Sequence, residues 1–315
     1  MRIAVVDLGT NSTRLLVGDV EEGVVRELAR RTDVTRLGEG VDRSGRLADD
    51  AMERVFRTLA GYRDVIDRLG APRVVAVATS AVRDAANGGD FEARLEECFG
   101  LDVRTVSGEE EARLTFLGAT SDRSEDATET LVLDIGGGST EYVIGSPGTS
   151  PRFHVSIPLG SVRHTERHLA ADPPKPREVA ELSTEVELII QEHVPATLRE
   201  EVSAGIAVAG TATSLAAIDQ LLEPYDPERV HGYRLALGAC RQMLAMLAAL
   251  PLGERRRVTG LHPDRAPTIV AGAVILVESM RAFGLEAMET SEADLLHGAA
   301  LAAAEEAPPR GERAG

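Results

Sequence analysis

Two glycine-rich turns, each set between apolar strands, are the feature that most constrains the fold of this chain. The stretch "LVLDIGGGSTEYVIG" at 131–145 has the pattern of a buried strand, a turn of small residues and a second buried strand. The stretch "IAVVDLGTNSTRLLVGDV" at 3–20 has the same outline. Asp, Gly, Ser and Thr fall at the same offsets in 7–13 and 134–140. This repeat indicates a duplicated domain, with one hairpin opening each half of the chain.

Strands and helices alternate through both halves, which predicts an α/β fold. Apolar residues recur at helical spacing from Met52 to Leu69, and short apolar runs at 73–79 and 103–107 are typical of strands. The second half is expected to hold a strand at 205–213 and helices at about 179–193, 234–249 and 266–283.

The polar, acidic segment at 121–129 is the best candidate for a boundary between two lobes. We therefore expect an N-terminal lobe at 1–122 and a C-terminal lobe at 123–292. A final helix at about 293–306 is expected to pack back on the first lobe. Residues 307–315 are rich in Pro, Gly and charge, and we expect a disordered tail there.

Composition narrows the class of protein. The net charge of −17 disfavours a nucleic-acid binder, so a polyanionic ligand would need a local basic patch. Two cysteines in 315 residues make neither a disulfide framework nor a Cys-rich zinc site, which favours the reducing cytoplasm. The start has no signal-peptide pattern, and no apolar run predicts a membrane span.

The two turns have the composition of phosphate-binding sites. Small residues let several backbone N–H groups point into one concavity, and hydroxyl groups add donors. The candidate phosphate-binding residues are Gly9, Thr10, Asn11, Ser12, Gly136, Gly137, Gly138 and Ser139. Asp7 and Asp134 end the preceding strands, where a carboxylate can bind hydrated Mg²⁺. An ordinary hairpin with a glycine-rich turn is the alternative for either copy alone.

Two further segments carry candidate groups. Gly210 and Thr211 open a third glycine turn before a helix, which suits an anion at the helix N-terminus; a plain strand–helix turn is equally compatible. Ser107 and Glu110 have the spacing of a capping box that starts a helix. Glu111 follows directly, and its residue type alone is explained by the preference for acids at that end of a helix.

Six motifs in order along residues 1–300 resemble the exopolyphosphatase / guanosine pentaphosphate phosphatase family. They are "DLGTNSTRLLV", "ATSAVRDAANGGDF", "SGEEEARLTFLGA", "DIGGGSTEYVIG", "PLGSVRHTE" and "AGTATSLAA". The resemblance implies an actin-like ATPase (ribonuclease H-like) duplicated fold, with the phosphate site in a cleft between two lobes. It also implies the short, two-domain form of the family and a homodimer.

The same resemblance assigns roles to individual residues. Glu111 would be the general base that activates water, and Glu141 would act with Asp134 around Mg²⁺, or Mn²⁺, and that water. Arg83 would contact phosphate, and Arg163 is a second candidate for the same role. The resemblance leaves the role of Arg14 open. His164 and His262 show no metal-ligand spacing, and we expect solvated or hydrogen-bonded histidines there.

The expected reaction is hydrolysis of the terminal phosphate of inorganic polyphosphate, with guanosine pentaphosphate as the alternative substrate. Because the chain is acidic and is expected to lack the extra C-terminal domain of longer relatives, we expect a preference for short polyphosphate. An ATP-dependent kinase or ATPase on the same scaffold is a rival, as is a non-enzymatic phosphate sensor. The segment "GTATSLAA" is less polar than a nucleoside site would require, which disfavours the kinase.

Overall fold

The computed structural model describes residues 1–124 and 126–306. These residues form two mixed sheets with helices on their faces, and each sheet opens with one of the two predicted hairpins. The expected tail at 307–315 lies outside the described residues. None of the described helices has the length and apolar character needed to cross a membrane.

The first sheet has five strands in the order β3-β2-β1-β4-β5. These strands are β1 Arg2–Leu8, β2 Thr13–Glu21, β3 Val24–Asp33, β4 Arg73–Ala78 and β5 Val103–Thr105. The first three are antiparallel neighbours, whereas β4 pairs with β1, and β5 with β4, in parallel. The helices of this half are α1 Val41–Ser44, α2 Asp49–Leu69, α3 Ser80–Asp84, α4 Gly88–Phe99 and α5 Gly108–Thr120.

The second sheet repeats this topology in the order β8-β7-β6-β9-β11-β10. Its strands are β6 Thr130–Ile135, β7 Thr140–Gly145, β8 Phe153–Ile157, β9 Ala204–Val208, β10 Arg234–Ala236 and β11 Ala287–Thr290. Again three antiparallel strands are followed by parallel pairings, β6 with β9 and β9 with β11. The repeated order of strands is that of a duplicated, ribonuclease H-like and actin-like fold, as the sequence predicted.

Helices complete the second half. They are α6 Ser161–His168, α7 Pro176–His193, α8 Ala196–Glu201, α9 Ala209–Asp219, α10 Pro227–Val230, α11 Leu237–Ala249, α12 Leu252–Arg255, a 3-10 turn Pro263–Arg265, and α13 Ile269–Ala282. The last described helix is α14 Leu295–Glu305. It contributes Leu296 and Ala299 to a core cluster that also contains Ile3 and Leu16 of the first sheet.

Three local expectations need correction. The segment expected as a helix from 234 begins with strand β10, and α11 starts only at Leu237, because residues 234–236 pair with β11. The predicted glycine turn after β9 is already the first turn of α9. Ser107 caps α5 as expected, but the Glu110 carboxylate pairs with Arg113 and Arg104, so the reciprocal bond of a capping box is not formed.

Candidate active site

The two hairpin turns have the same backbone geometry and touch each other. In each turn a glycine N–H donates to a serine carbonyl three residues later, Gly9 to Ser12 and Gly136 to Ser139, both at 3.0 Å. The turns approach so closely that a Cβ on Gly138 would lie 2.9 Å from Thr10 Oγ1 in the first turn, and 2.4 Å from Ser80 Oγ in α3. Glycine is required there because no side chain would fit between the two lobes.

A cavity of about 80 Å³ lies between these turns. The cavity is lined by residues at the ends of β1 and β6 and in the first turns of α5, α9 and α13. The predicted site residues that line it are Asp7, Gly9, Thr10, Asn11, Ser12, Glu111, Asp134, Gly136, Gly137, Ser139, Gly210 and Thr211. The fold therefore brings most of the predicted residues, from distant parts of the chain, to one small polar space.

Glu111 lies in the first turn of α5 and is one of the carboxylates that line the cavity. The side chain is almost fully buried, and Arg83 Nη1 donates to its Oε2 at 3.1 Å. The pKa of Glu111 is raised to about 7, mainly by burial; the charge of Arg83 opposes this rise, and the charges of Asp134 and Asp7 add to it. A carboxylate whose pKa lies near neutrality is poised for general acid–base chemistry.

The second hairpin places two carboxylates side by side. Asp134 and Glu141 are cross-strand partners in β6 and β7, so their side chains project from the same face of the sheet. Burial raises the pKa of Asp134 to about 7, and burial together with Glu111 and Asp134 raises that of Glu141 well above its usual range. Glu141 Oε1 accepts hydrogen bonds from Ser139 Oγ at 2.8 Å and from Ser156 Oγ at 2.7 Å.

The first hairpin has an arginine at the position that corresponds to Glu141. Asp7 and Arg14 are cross-strand partners in β1 and β2, as Asp134 and Glu141 are in the second hairpin. Arg14 Nε donates to Asp7 Oδ2 at 2.7 Å, and its Nη1 pairs with Asp294 at the start of α14. Arg14 therefore neutralises part of the negative charge of Asp7 and Asp294. This is a structural role for a residue whose role the sequence left open.

The carboxylates fit the divalent cation implied by the family resemblance. Asp7 Oδ1 is buried and has no hydrogen-bond partner, and burial raises the pKa of Asp7. Asp134 also lines the cavity, with Glu141 beside it on the next strand. Arg14 occupies the other oxygen of Asp7, but buried carboxylate oxygens such as Asp7 Oδ1 are the donors that Mg²⁺ or Mn²⁺ takes. Asp7, Asp134 and Glu141 are thus the residues that would hold it.

Four predicted residues do not line the cavity. Gly138 packs against Ser80, Arg83 donates to Glu111, and Glu141 accepts from Ser139. Arg163 is the clearest departure from expectation, since its guanidinium bonds the Gly138 carbonyl and the carboxylates of Asp42 and Asp84. The donors of Arg163 are thus used to join α6 to the first lobe.

Sequence reasoning missed Arg265, which lines the cavity from the 3-10 turn before α13. Its guanidinium lies over Gly210, where a Cβ would be 1.4 Å from Arg265 Nη1. Among the residues described, it forms no salt bridge. Burial and Arg14 lower its pKa. "HPDRAPT" offers no motif, and Arg265 lies just before α13, which packs against α9 at the cleft.

A second cavity, of about 600 Å³, adjoins the first and shares Arg14, Ala209, Gly210 and Arg265 with it. We call it the arginine cavity because of its basic residues, which are Arg14, Arg30, Arg31, Arg256, Arg257, Arg265 and His262. Three acidic residues, Glu223, Glu292 and Asp294, also line it. A basic surface has thus formed beside the cleft of an acidic protein, as the sequence analysis required for a polyanion.

Comparisons with known proteins show the family of this chain. The model of the Ppx/GppA phosphatase family matches residues 16–306. Exopolyphosphatase 2 of Mycobacterium tuberculosis H37Rv is 34% identical over 320 residues, covering 96% of this chain and 98% of the relative. A Ppx/GppA crystal structure from Aquifex aeolicus is 32% identical with a TM-score of 0.81, covering 98% of this chain and 99% of that one. An exopolyphosphatase crystal structure from Cytophaga hutchinsonii is 25% identical with a TM-score of 0.90, with the same coverage. The chain belongs to the Ppx/GppA phosphatase family.

Proposed function

We propose that this protein is an exopolyphosphatase, which hydrolyses the terminal phosphoanhydride bond of inorganic polyphosphate. The observation that carries the proposal is Glu111, a buried carboxylate with a pKa raised to about 7, set in a cavity between two phosphate-binding turns. The names of the relatives support the same class of reaction.

In this mechanism the terminal phosphoryl group lies between the turns at 9–12 and 136–139. Backbone N–H groups and the hydroxyl of Ser12 bind its oxygens. Glu111 accepts a proton from water, the water oxygen bonds to the terminal phosphorus, and the bond from that phosphorus to the bridging oxygen breaks. The shortened chain leaves with that oxygen. General base catalysis of this kind contributes typically about 10² to 10⁴ in rate.

A divalent cation held by Asp7, Asp134 and Glu141 would neutralise negative charge on the phosphoryl oxygens. The raised pKa values of Asp134 and Glu141 support this role, because buried carboxylates without a cation favour their protonated forms. Activity is therefore expected to require added Mg²⁺ or Mn²⁺ and to be lost in a chelator.

The arginine cavity supports a preference for short chains. It can accept the phosphates that follow the terminal one, because Arg14 and Arg265 border both cavities. Its volume, about 600 Å³, is that of a bounded site rather than of a track along the protein. A chain of a few phosphates satisfies these arginines, whereas a long polymer must leave the cavity across a protein whose net charge is −17.

Guanosine pentaphosphate is the second candidate substrate. The arginine cavity also has apolar and aromatic walls, including Leu222, Tyr225, Val258 and Leu261, which suit a purine ring. This cavity is also large enough for a nucleotide. The kinase or ATPase hypothesis therefore has to be tested directly.

Phosphate release from a defined panel tests these proposals. The panel contains tripolyphosphate, a chain of about fifteen phosphates, long polymer, guanosine pentaphosphate and ATP, each with and without Mg²⁺. We expect the highest kcat/KM on the shortest polyphosphates. Faster attack on the long polymer contradicts the chain-length preference, and ATP as the best substrate favours the kinase or ATPase. No hydrolysis of any member, with unchanged behaviour after substitution of Glu111 and Glu141, favours a sensor.

A further inference from the structure

A cluster of metal-binding side chains lies outside the cleft, between α6 and α7. His164 and His168 are one turn apart on α6, and Glu185 lies opposite them on α7. One potential ligand atom from each residue lies within 4.8 Å of the others. No role in the phosphatase mechanism involves these three residues.

The contacts of His164 leave its Nε2 free to bind a metal ion. The ring is fully buried, and Nδ1 lies 3.1 Å from the Gly160 carbonyl oxygen. Because a carbonyl oxygen only accepts, Nδ1 must carry the hydrogen, which leaves a lone pair on Nε2. That Nε2 is buried without a hydrogen-bond partner and lies 3.8 Å from Glu185 Oε1. A ligand histidine commonly donates its other ring N–H to a carbonyl in this way.

His168 and Glu185 lie close enough to His164 to share one ion with it. His168 Nε2 lies 2.9 Å from Glu185 Oε2, and the two imidazole rings are parallel within 6° with centroids 5.8 Å apart. Ligands about 2.1 Å from a tetrahedral ion are roughly 3.4 Å from one another. The two oxygens of Glu185 lie 3.8 Å from His164 Nε2 and 2.9 Å from His168 Nε2, and one ligand atom from each of the three residues lies within 4.8 Å of the others, which is compatible with a shared ion after small side-chain rotations.

We propose that His164, His168 and Glu185 form a binding site for a transition-metal ion of the Zn²⁺ type. Two imidazole nitrogens and one carboxylate are ligands that Zn²⁺ takes, with a water in the fourth position, whereas Mg²⁺ prefers oxygen ligands alone. His164 and His168 have the His-x₃-His spacing, which places both rings on one face of α6.

A metal ion at this position would affect the stability of α6. The first turn of α6 donates from the N–H groups of Ser161 and Val162 to the carbonyls of Gly136 and Gly137 in the second phosphate-binding turn. The adjacent face of α6 carries Arg163 and Arg167, which pair with Asp42 of the first lobe. An ion that fastens α6 to α7 therefore stabilises the helix that supports this turn and joins the lobes.

Calorimetric titration of chelator-treated, dialysed protein with Zn²⁺ tests the site. Saturating Mg²⁺ is present throughout, so that the carboxylates of the cleft are occupied. We expect binding of one Zn²⁺ per chain and a rise in Tm with added Zn²⁺. Co²⁺ in its place is expected to give the visible absorption of a four-coordinate ion.

Partly exposed ligands provide variants that are expected to fold. His168→Gln and Glu185→Gln are each expected to weaken Zn²⁺ binding at least about tenfold and to remove the Tm shift. His193→Gln, an exposed histidine on α7, is the matched control and keeps wild-type affinity. Equal affinity in all three variants, or no binding to the wild type, would overturn the proposal and leave His168–Glu185 as an ordinary ion pair.

Discussion

Arg83 Nη1 donates to Glu111 Oε2 across 3.1 Å, and this contact links α3 to α5 at the edge of the cleft. The pair lies within the first lobe, and Arg83 also donates to the Val106 carbonyl at 2.8 Å. Burial raises the pKa of Glu111, and the positive charge of Arg83 opposes that rise. Arg83 therefore helps to set the pH at which Glu111 can accept a proton.

Replacing Arg83 by Gln is expected to shift the pH dependence of activity. Without the positive charge the pKa of Glu111 rises, so the acidic limb of the kcat profile moves to higher pH, by about one unit. Arg113→Gln, which removes a surface partner of Glu110, is the control and leaves the limb in place. A loss of activity that is uniform across the pH range would show that Arg83 acts only by binding substrate or by supporting the fold.

The wild-type enzyme is expected to lose activity as the pH falls below about 7. The pKa of Glu111 is raised to about 7, and a general base works only in its deprotonated form. Below this pH, kcat therefore falls by about tenfold per unit if one proton blocks the base. Initial rates of phosphate release at saturating substrate between pH 5 and 9 measure this. A flat profile from pH 5 to 7 would exclude Glu111 as the base.

The buried Asp134 is expected to make the metal-free protein less stable as pH rises. Its pKa is raised from 3.8 to about 7 in the folded state, so the folded chain retains a proton that the unfolded chain releases. The associated stability is fully present below the unfolded pKa and is lost as pH rises through the folded pKa.

Asp134→Asn removes the cost of ionising this buried carboxyl group. In EDTA at pH 8 the variant is expected to gain up to about 4 kcal/mol in the free energy of unfolding, because each unit of pKa shift corresponds to about 1.4 kcal/mol. The gain shrinks at pH 5, where wild-type Asp134 is protonated. Urea unfolding at both pH values measures it. An equal gain at pH 5 and pH 8 would show that the effect is not due to this ionisation.

Arg265 is expected to contribute to substrate binding. Its guanidinium borders both cavities, and no carboxylate in the described part of the chain forms a salt bridge with it. Arg265→Ala is expected to raise KM for tripolyphosphate by at least about tenfold, as a charge-assisted hydrogen bond to phosphate is lost. Arg241→Ala, on the exposed face of α11, is the control. An unchanged KM would remove Arg265 from the site.

The sequence could predict the parts of the site that depend on local patterns. Alternation and turn composition identified both hairpins, and the equal offsets of Asp7 and Asp134 from the turns indicated a duplication. Because β1 and β6 end at equivalent places, the turns that follow them had to be equivalent as well. Glu111 was placed by the resemblance, since its position alone is explained by the start of a helix.

What the sequence could not predict depends on packing between distant segments. Arg163 follows a glycine motif, but Asp42 and Asp84 of the other lobe take its donors. Arg265 lies just before α13, which packs against α9 at the cleft. The three-residue strand β10 exists through its pairing with β11, and so short a run carries no periodicity of its own.

The central claim is that Glu111 activates the attacking water, and the kcat of Glu111→Gln tests it most directly. Glutamine preserves size and a polar contact for Arg83 but cannot accept the proton. Glu110→Gln, one residue earlier on the outer side of α5, is the matched control, and circular dichroism and Tm show whether both variants fold. We expect kcat on tripolyphosphate to fall at least about 100-fold in Glu111→Gln and to stay near wild type in Glu110→Gln. A folded Glu111→Gln protein with near-normal kcat would contradict the account.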